Sequence, residues 1–136
     1  MKNVAKVLIK NPEGKYLILH RNHHPVFGDS IDLPGGTAEF GESIEATAIR
    51  EVIEESGIDL STTPLTHLVS SRNYSRMRNK YTLFEAELQT IPQVKISWEH
   101  LDFVWLSIDE IIKESSETND MFLRMTADVL KSQGNA

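Results

Sequence analysis

The chain has 136 residues, 40% of them hydrophobic and 25% charged, with a formal net charge of −6. This length and composition predict one soluble globular domain over residues 1–136 with a proper core, while the acidic balance excludes a general nucleic-acid binder, which needs basic excess to cover phosphates. With no cysteine, a disulfide framework, a thiol nucleophile and a zinc knuckle are all excluded.

Lys2, Lys6 and Lys10 interrupt the N-terminal apolar residues before a signal-peptide core can form, and no apolar run is long enough to span a membrane. A cytoplasmic location without membrane partners is the resulting expectation. Residues 3 to 10 read as a strand rich in apolar and β-branched side chains, and Asn11-Pro12-Glu13-Gly14 as a turn with Pro12 at its second position. Residues 15 to 20 form the partner strand of a hairpin, ended by Arg21. Residues 22 to 29 make a polar loop containing His23, His24, Pro25 and Gly28. No H-E-x-x-H pattern and no cysteine accompany these histidines, so the loop is read as surface. Residues 30 to 33 form a short strand leading into Pro34-Gly35-Gly36, where two glycines free the backbone for close approach to a ligand.

Ser43 is a good N-cap, residues 44 to 56 contain neither Gly nor Pro, and Gly57 supplies a stop, which together predict a helix. Stepping about 100° per residue places Ala46, Ala48, Ile49, Val52 and Ile53 on one side and Glu51, Glu54 and Glu55 on the other. Three carboxylates at that spacing repel one another, and Arg50 is the only base within the helix. They form either a solvated acidic face or the oxygen ligands of a hard divalent cation, Mg²⁺ or Mn²⁺.

Gly36, Glu42, Arg50-Glu51-Val52, Glu54-Glu55 and Gly57-Ile58 decide between these readings. Their spacing resembles the Nudix box, G-x5-E-x7-R-E-U-x-E-E-x-G-U with U aliphatic, at every fixed position, and Leu33-Pro34-Gly35 resembles its frequent lead-in. The resemblance implies an α/β/α sandwich, with a mixed β-sheet between helices and the box as a loop–helix–loop. It implies Mg²⁺-dependent hydrolysis of a pyrophosphate bond in a nucleoside diphosphate linked to a group X. Glu51, Glu54 and Glu55 would hold the metal, joined by the Gly36 carbonyl. Glu42 would pair with Arg50 and orient the loop against the helix. A basic residue is common at the place of Arg21, which is either a phosphate contact or a surface arginine.

Beyond the box, residues 58 to 64 read as a polar connection, and residues 65 to 73 and 80 to 89 as two strands. The basic stretch from Arg72 to Lys80 between them is read as a solvated hairpin tip, with a clamp on substrate phosphates by Arg76 and Arg78 as the alternative. Tyr74 stands where the resemblance places a tyrosine in dinucleoside polyphosphate hydrolases, although an aromatic in a strand more often packs. Residues 90 to 100 form a loop, and residues 101 to 106 the final strand. A short helix runs from Ser107 or Asp109 to Ile112, and a last amphipathic one starts at Asn119 or Asp120 and frays from Gln133. Glu99, shortly before Trp105, resembles the family's loop glutamate that serves as a further metal ligand or general base, with Glu85 and Glu87 as rival donors.

Cutting a pyrophosphate bridge needs phosphate charge neutralised and a water activated in line with the leaving group, which metal ions on rigid carboxylates supply. Nucleoside triphosphates, released as monophosphate plus pyrophosphate, are the first expected substrates. Dinucleoside polyphosphates come second, and ADP-ribose or nucleotide sugars third. The rival from another class is a non-catalytic nucleotide sensor, which would be expected to lose the box acids that this chain retains. The family often forms homodimers, but no stretch here declares an interface. The aromatics Phe27, Phe40, Tyr81, Phe84, Trp98 and Trp105 are the pool for a base pocket, with Trp105 expected in the core.

Overall fold

A computed structural model describes residues 1–21 and 31–134; the predicted histidine loop and Phe27 lie outside the described residues. The elements follow in the order β1 (Asn3–Lys10), β2 (Tyr16–Arg21), β3 (Ile31–Asp32), β4 (Gly35–Thr37), α1 (Ile44–Ser56), β5 (Thr66–Ser71), β6 (Lys80–Glu87), β7 (His100–Leu106), α2 (Ile108–Ser116) and α3 (Met121–Gly134). The sheet runs β3-β2-β1-β6-β5, with β4 paired to β1 and β7 to β2. β1 and β6 are parallel along their whole length, from Asn3 opposite Lys80 to Lys10 opposite Glu87, and the other pairs are antiparallel. A parallel pair needs a crossover connection, and α1 lies within it.

Side-chain alternation along the strands builds two cores. Ala5, Val7 and Ile9 of β1, Leu17 and Leu19 of β2, and Phe84 and Ala86 of β6 pack with Ala48 and Val52 of α1. Leu8, Tyr16, Ile18 and Leu83 point the other way, onto Ile111 of α2 and Phe122, Leu123, Met125 and Leu130 of α3. The result is the expected mixed sheet between helices. Trp105 packs against the first core while staying partly exposed.

The box helix has its predicted bounds. Ser43 Oγ accepts from Ala46 N, and Gly57 closes the helix in the left-handed region at φ 75°. Its buried stripe differs from the expected one: Thr47, Ala48, Val52, Glu55 and Ser56 are buried, while Ala46 and Ile53 are exposed. The reason is the C-terminal turn, where the segment before β7 lies along the helix. Lys95 N donates to Ser56 O at 2.9 Å and Ser97 N to Glu55 O at 3.2 Å.

Other boundaries also move. Gly35–Thr37 is a strand rather than a free glycine turn, because the edge of β1 from Val4 to Lys6 offers backbone groups that need partners. Gly35 has φ 147°, and a Cβ there would stand 2.1 Å from the Ala5 carbonyl oxygen. The connection after Gly57 is not wholly polar, since Ile58 and Leu60 are buried in the first core. α2 runs past Ile112 to Ser116, started by a capping box between Ser107 and Glu110. α3 stays helical through Gly134, begun by Asp120, whose Oδ1 accepts from Phe122 N and Leu123 N. No helix among the described residues is long and apolar enough to cross a membrane.

Replacing Gly57 with Ala isolates the left-handed cap, since the new Cβ would meet Lys95 Cβ at an ordinary 3.5 Å. Urea unfolding is expected to show a loss of about 1–2 kcal/mol, the cost of a left-handed non-glycine residue.

Candidate active site

Arg50 projects from α1 into a fan of oxygens. Its Nε donates to Glu42 Oε2 at 2.7 Å and its Nη2 to Glu42 Oε1 at 3.0 Å, a paired contact of fixed geometry. Nη1 donates to Glu51 Oε1 at 2.8 Å and, more loosely, to Glu54 Oε2 at 3.3 Å. Nη2 also reaches the Thr37 carbonyl on β4 at 3.2 Å. Glu42 is held further by Thr47 Oγ1 at 2.8 Å and Glu39 N at 3.0 Å. The hydrogen bonds from Arg50, and then those from Glu39 N and Thr47, hold the Glu42 carboxyl down at about 2.

The opposite pull acts on Glu51, whose pKa is raised by burial, with the charges of Glu54 and Glu99 adding to it and Arg50 opposing. Its carboxylate lies against the backbone of Gly36: a Cβ there would be 2.5 Å from Glu51 Cδ and 2.6 Å from Oε2. Only glycine permits that approach.

Glu51, Glu54, Glu55, Glu99, Gly36 and Arg21 all line one cavity of about 850 Å³. Glu55 is not on a solvated acidic face. It is buried, accepts from Gly35 N at 2.7 Å, and has Oε2 3.7 Å from His100 Nε2. Burial, with Asp32 adding repulsion, pushes its carboxyl up to about 7 against the opposing pull of Gly35 N, His100 and Lys6. Glu99 is exposed on the turn before β7. Its rivals lie outside the cavity lining: Glu85 accepts from Tyr16 OH at 3.1 Å, and Glu87 is 3.7 Å from Lys10.

Three further predicted positions also lie outside this lining. Tyr74 OH donates to Asp128 Oδ2 on α3 at 2.5 Å, and Arg76 and Arg78 are exposed on the β5–β6 connection. The Arg78 carbonyl accepts from Arg72 Nη1 at 2.9 Å, so the basic stretch folds back on itself as a tip. Of the aromatic pool, Tyr81 and Trp98 line the cavity, Phe84 is in the core and Phe40 is fully exposed.

Sequence reading missed a buried ionic group at the cavity floor. Lys6 donates to Asp32 Oδ1, Arg21 Nε donates to Asp32 Oδ2 at 3.1 Å, and His100 Nε2 lies 3.7 Å from Asp32 Oδ2. Burial alone would raise the Asp32 carboxyl, but Lys6, His100 and Arg21 together hold it well below the usual carboxylate range. Asp32 in turn raises the Arg21 pKa, against burial. A lysine interrupting the apolar run of β1, and an aspartate between Ile31 and Leu33, were the available signals. His100 gave none. Its Nδ1 is buried without a hydrogen-bond partner among the described residues.

The donor set suits a hard divalent cation: carboxylates and one main-chain carbonyl, with no sulfur. Among the described residues no three acidic or imidazole side chains are gathered so as to hold a metal ion by themselves. An open arrangement, in which Glu51 is fixed over Gly36 and Glu54 and Glu99 extend into the cavity, fits an ion that takes part of its shell from phosphate oxygens.

A profile of the NUDIX domain matches residues 2–125. The dihydroneopterin triphosphate diphosphatase of Haemophilus influenzae is 27% identical over 134 residues, covering 87% of this chain and 81% of that one. Two further curated relatives are longer proteins, of which the matches cover 36% and 40%. Among solved structures, the MutT protein from Methanosarcina mazei Go1 superposes with a TM-score of 0.75 at 25% identity, covering 99% of this chain and 96% of that one. An Ap4A hydrolase of C. elegans superposes with a TM-score of 0.76 at 20% identity, covering 97% and 96%, a likeness of fold.

The raised Glu55 carboxyl has a pH consequence. Its folded value of about 7 exceeds the ordinary 4.5, so the fold disfavours the ionised form. Below the unfolded value Glu55 is neutral in both states and there is no penalty. The penalty grows as pH rises from there and is complete above the folded value. In metal-free protein, Glu55→Gln is therefore expected to match the parent near pH 4 and exceed its stability at pH 8 by on the order of 2 kcal/mol, as read by urea unfolding in chelator.

Proposed function

The chain belongs to the Nudix family of pyrophosphohydrolases, and from that premise we propose that it is a Mg²⁺-dependent hydrolase of nucleoside triphosphates, releasing monophosphate and pyrophosphate. The observation that carries this reading is the Arg50 clamp, which fixes Glu51 over Gly36 at the mouth of a cavity also lined by Glu54, Glu55, Glu99 and Arg21. Nudix hydrolases use divalent cations; Mg²⁺, or Mn²⁺ in its place, would be held by Glu51, Glu54, Glu55, Glu99 and the Gly36 carbonyl. When bound, such an ion neutralises phosphoryl charge and makes water a better nucleophile at neutral pH.

The chain's own residues divide the remaining work. Arg50 and Glu42 hold the box loop against α1, so that the carboxylates keep their places as substrate arrives. Arg21, braced by Asp32, offers its guanidinium to a phosphate not covered by the cation. Glu54 lines the cavity with its side chain 57% exposed and is held only loosely, by Arg50 Nη1 at 3.3 Å. Glu99 reaches it from the turn that Ser97 N and Lys95 N tie to the end of α1. A triphosphate substrate also agrees with the relative named for dihydroneopterin triphosphate. Dinucleoside polyphosphates rank lower, because Tyr74 is engaged with Asp128 outside the cavity lining.

The test is turnover on nucleoside triphosphates, diadenosine polyphosphates and nucleotide sugars with Mg²⁺, products resolved. Monophosphate and pyrophosphate are expected from the triphosphates, with no turnover in chelator and a loss of at least about 100-fold in Glu54→Gln. Nucleotide binding without cleavage of any substrate would favour the sensor reading instead.

A further inference from the structure

One cation in the cavity, Lys6, has no part in the chemistry above. Lys6 stands in β1 between Ala5 and Val7, and strand alternation turns its side chain towards Phe122, where it is 10% exposed. Its ammonium lies 5.4 Å from the centroid of the Phe122 ring and donates to Asp32. An ammonium has three donors and no acceptor, and Asp32 is its one hydrogen-bond acceptor among the described residues. Burying such a pair adds little net stability, because desolvation offsets attraction, and apolar side chains of similar volume would serve the fold as well. Stability therefore does not explain Lys6.

Space for it is built into the backbone. A Cβ on Gly35, its partner across β4, would stand 2.5 Å from Lys6 Cα and 2.7 Å from Lys6 Cγ. Asp32, Phe122 and the bare Gly35 thus fix the side chain from three directions. Lys6 lines the cavity beside Tyr81 and Phe122, whose rings are 5.0 Å apart. Phe122 is itself buried in the second core, so the partly exposed Tyr81 is the ring that this side of the cavity offers to the flat face of a heterocycle, a surface unsuited to a phosphate.

Resting on the reading of this cavity as a nucleotide site, we propose that the substrate's heterocycle lies against Tyr81 and accepts a hydrogen bond from Lys6 through a ring carbonyl. Lys6 is then a specificity-determining residue that selects oxo-bearing rings such as guanine. Adenine would bring an amino group to the same place, setting donor against donor with no acceptor to share.

Calorimetric binding of the α,β-methylene analogues of GTP and ATP tests this without relying on cleavage. The parent protein is expected to bind the guanosine analogue at least about tenfold more tightly, and Lys6→Met to bring the two within about twofold by loss on the guanosine side alone. Lys6→Met leaves Asp32 paired with Arg21, and Lys6→Gln provides a second neutral variant. Equal weakening of both analogues would make Lys6 a phosphate contact and overturn the proposal. So would a parent protein that does not discriminate, or failure of both variants to fold. Discrimination without hydrolysis would leave the proposal standing and remove the enzymatic reading.

Discussion

Arg50 ties three parts of the chain together through one planar group. Glu42 takes two of its N–H groups from the loop before α1, Glu51 takes another from the next position of α1, and the Thr37 carbonyl takes a share from β4. A lysine could supply the charge but not this fork of donors in one plane. Hydrogen bonds from Arg50, Glu39 N and Thr47 hold the Glu42 carboxyl down at about 2, so the clamp is ionic at neutral and mildly acidic pH. It places the carboxylate of Glu51 where only a glycine could face it. The remaining carboxylates are arranged around that fixed point.

The sheet supplies the second condition. Its central strands β1 and β2 are apolar on both faces along most of their length, and the two cores are built from alternate residues of these strands. Where β1, β3 and β4 meet the start of β7, that pattern gives way to Lys6, Asp32, Glu55 and His100, all buried. Such a group is costly to desolvate and holds together only while each charge has a partner. Asp32 has two cations, Lys6 and Arg21, and Glu55 has the Gly35 N–H. The fold thus tolerates a polar cavity between two apolar cores, and the cavity carries both the carboxylates of α1 and the cations of β1 and β2.

Much of this was legible in the residues, and unevenly so. The box helix from Ser43 to Gly57 was readable to its caps, because capping and left-handed closure are local chemistry. The apolar and β-branched run of residues 3 to 10 likewise gave a central strand, because strand propensity is also local. The short strand Gly35–Thr37 was not readable, since it exists only because β1 offers an edge to it. The burial of Glu55 escaped a helical wheel that took all three glutamates as one face: the segment from Val94 to Ser97 covers that turn, and its position is set by distant packing. Glu99 could be placed by resemblance, whereas Lys6, Asp32 and His100 come together only through strand pairing across the sheet. Tyr74 is the converse case, a suggestive spacing whose side chain is engaged with Asp128 on α3.

The central claim is that the Arg50–Glu42 clamp exists to hold Glu51 for a divalent cation. Mn²⁺ titration followed by electron paramagnetic resonance, on the parent protein and on Glu42→Gln, tests it most directly. Glu42 itself lies outside the cavity lining, so a change in affinity must act through the clamp. A loss of Mn²⁺ affinity of about 10- to 100-fold is expected, the usual effect of removing a group that orients a ligand, with the fold intact by circular dichroism. Unchanged Mn²⁺ affinity in a folded Glu42→Gln protein would contradict it and reduce the clamp to a loop-to-helix salt bridge.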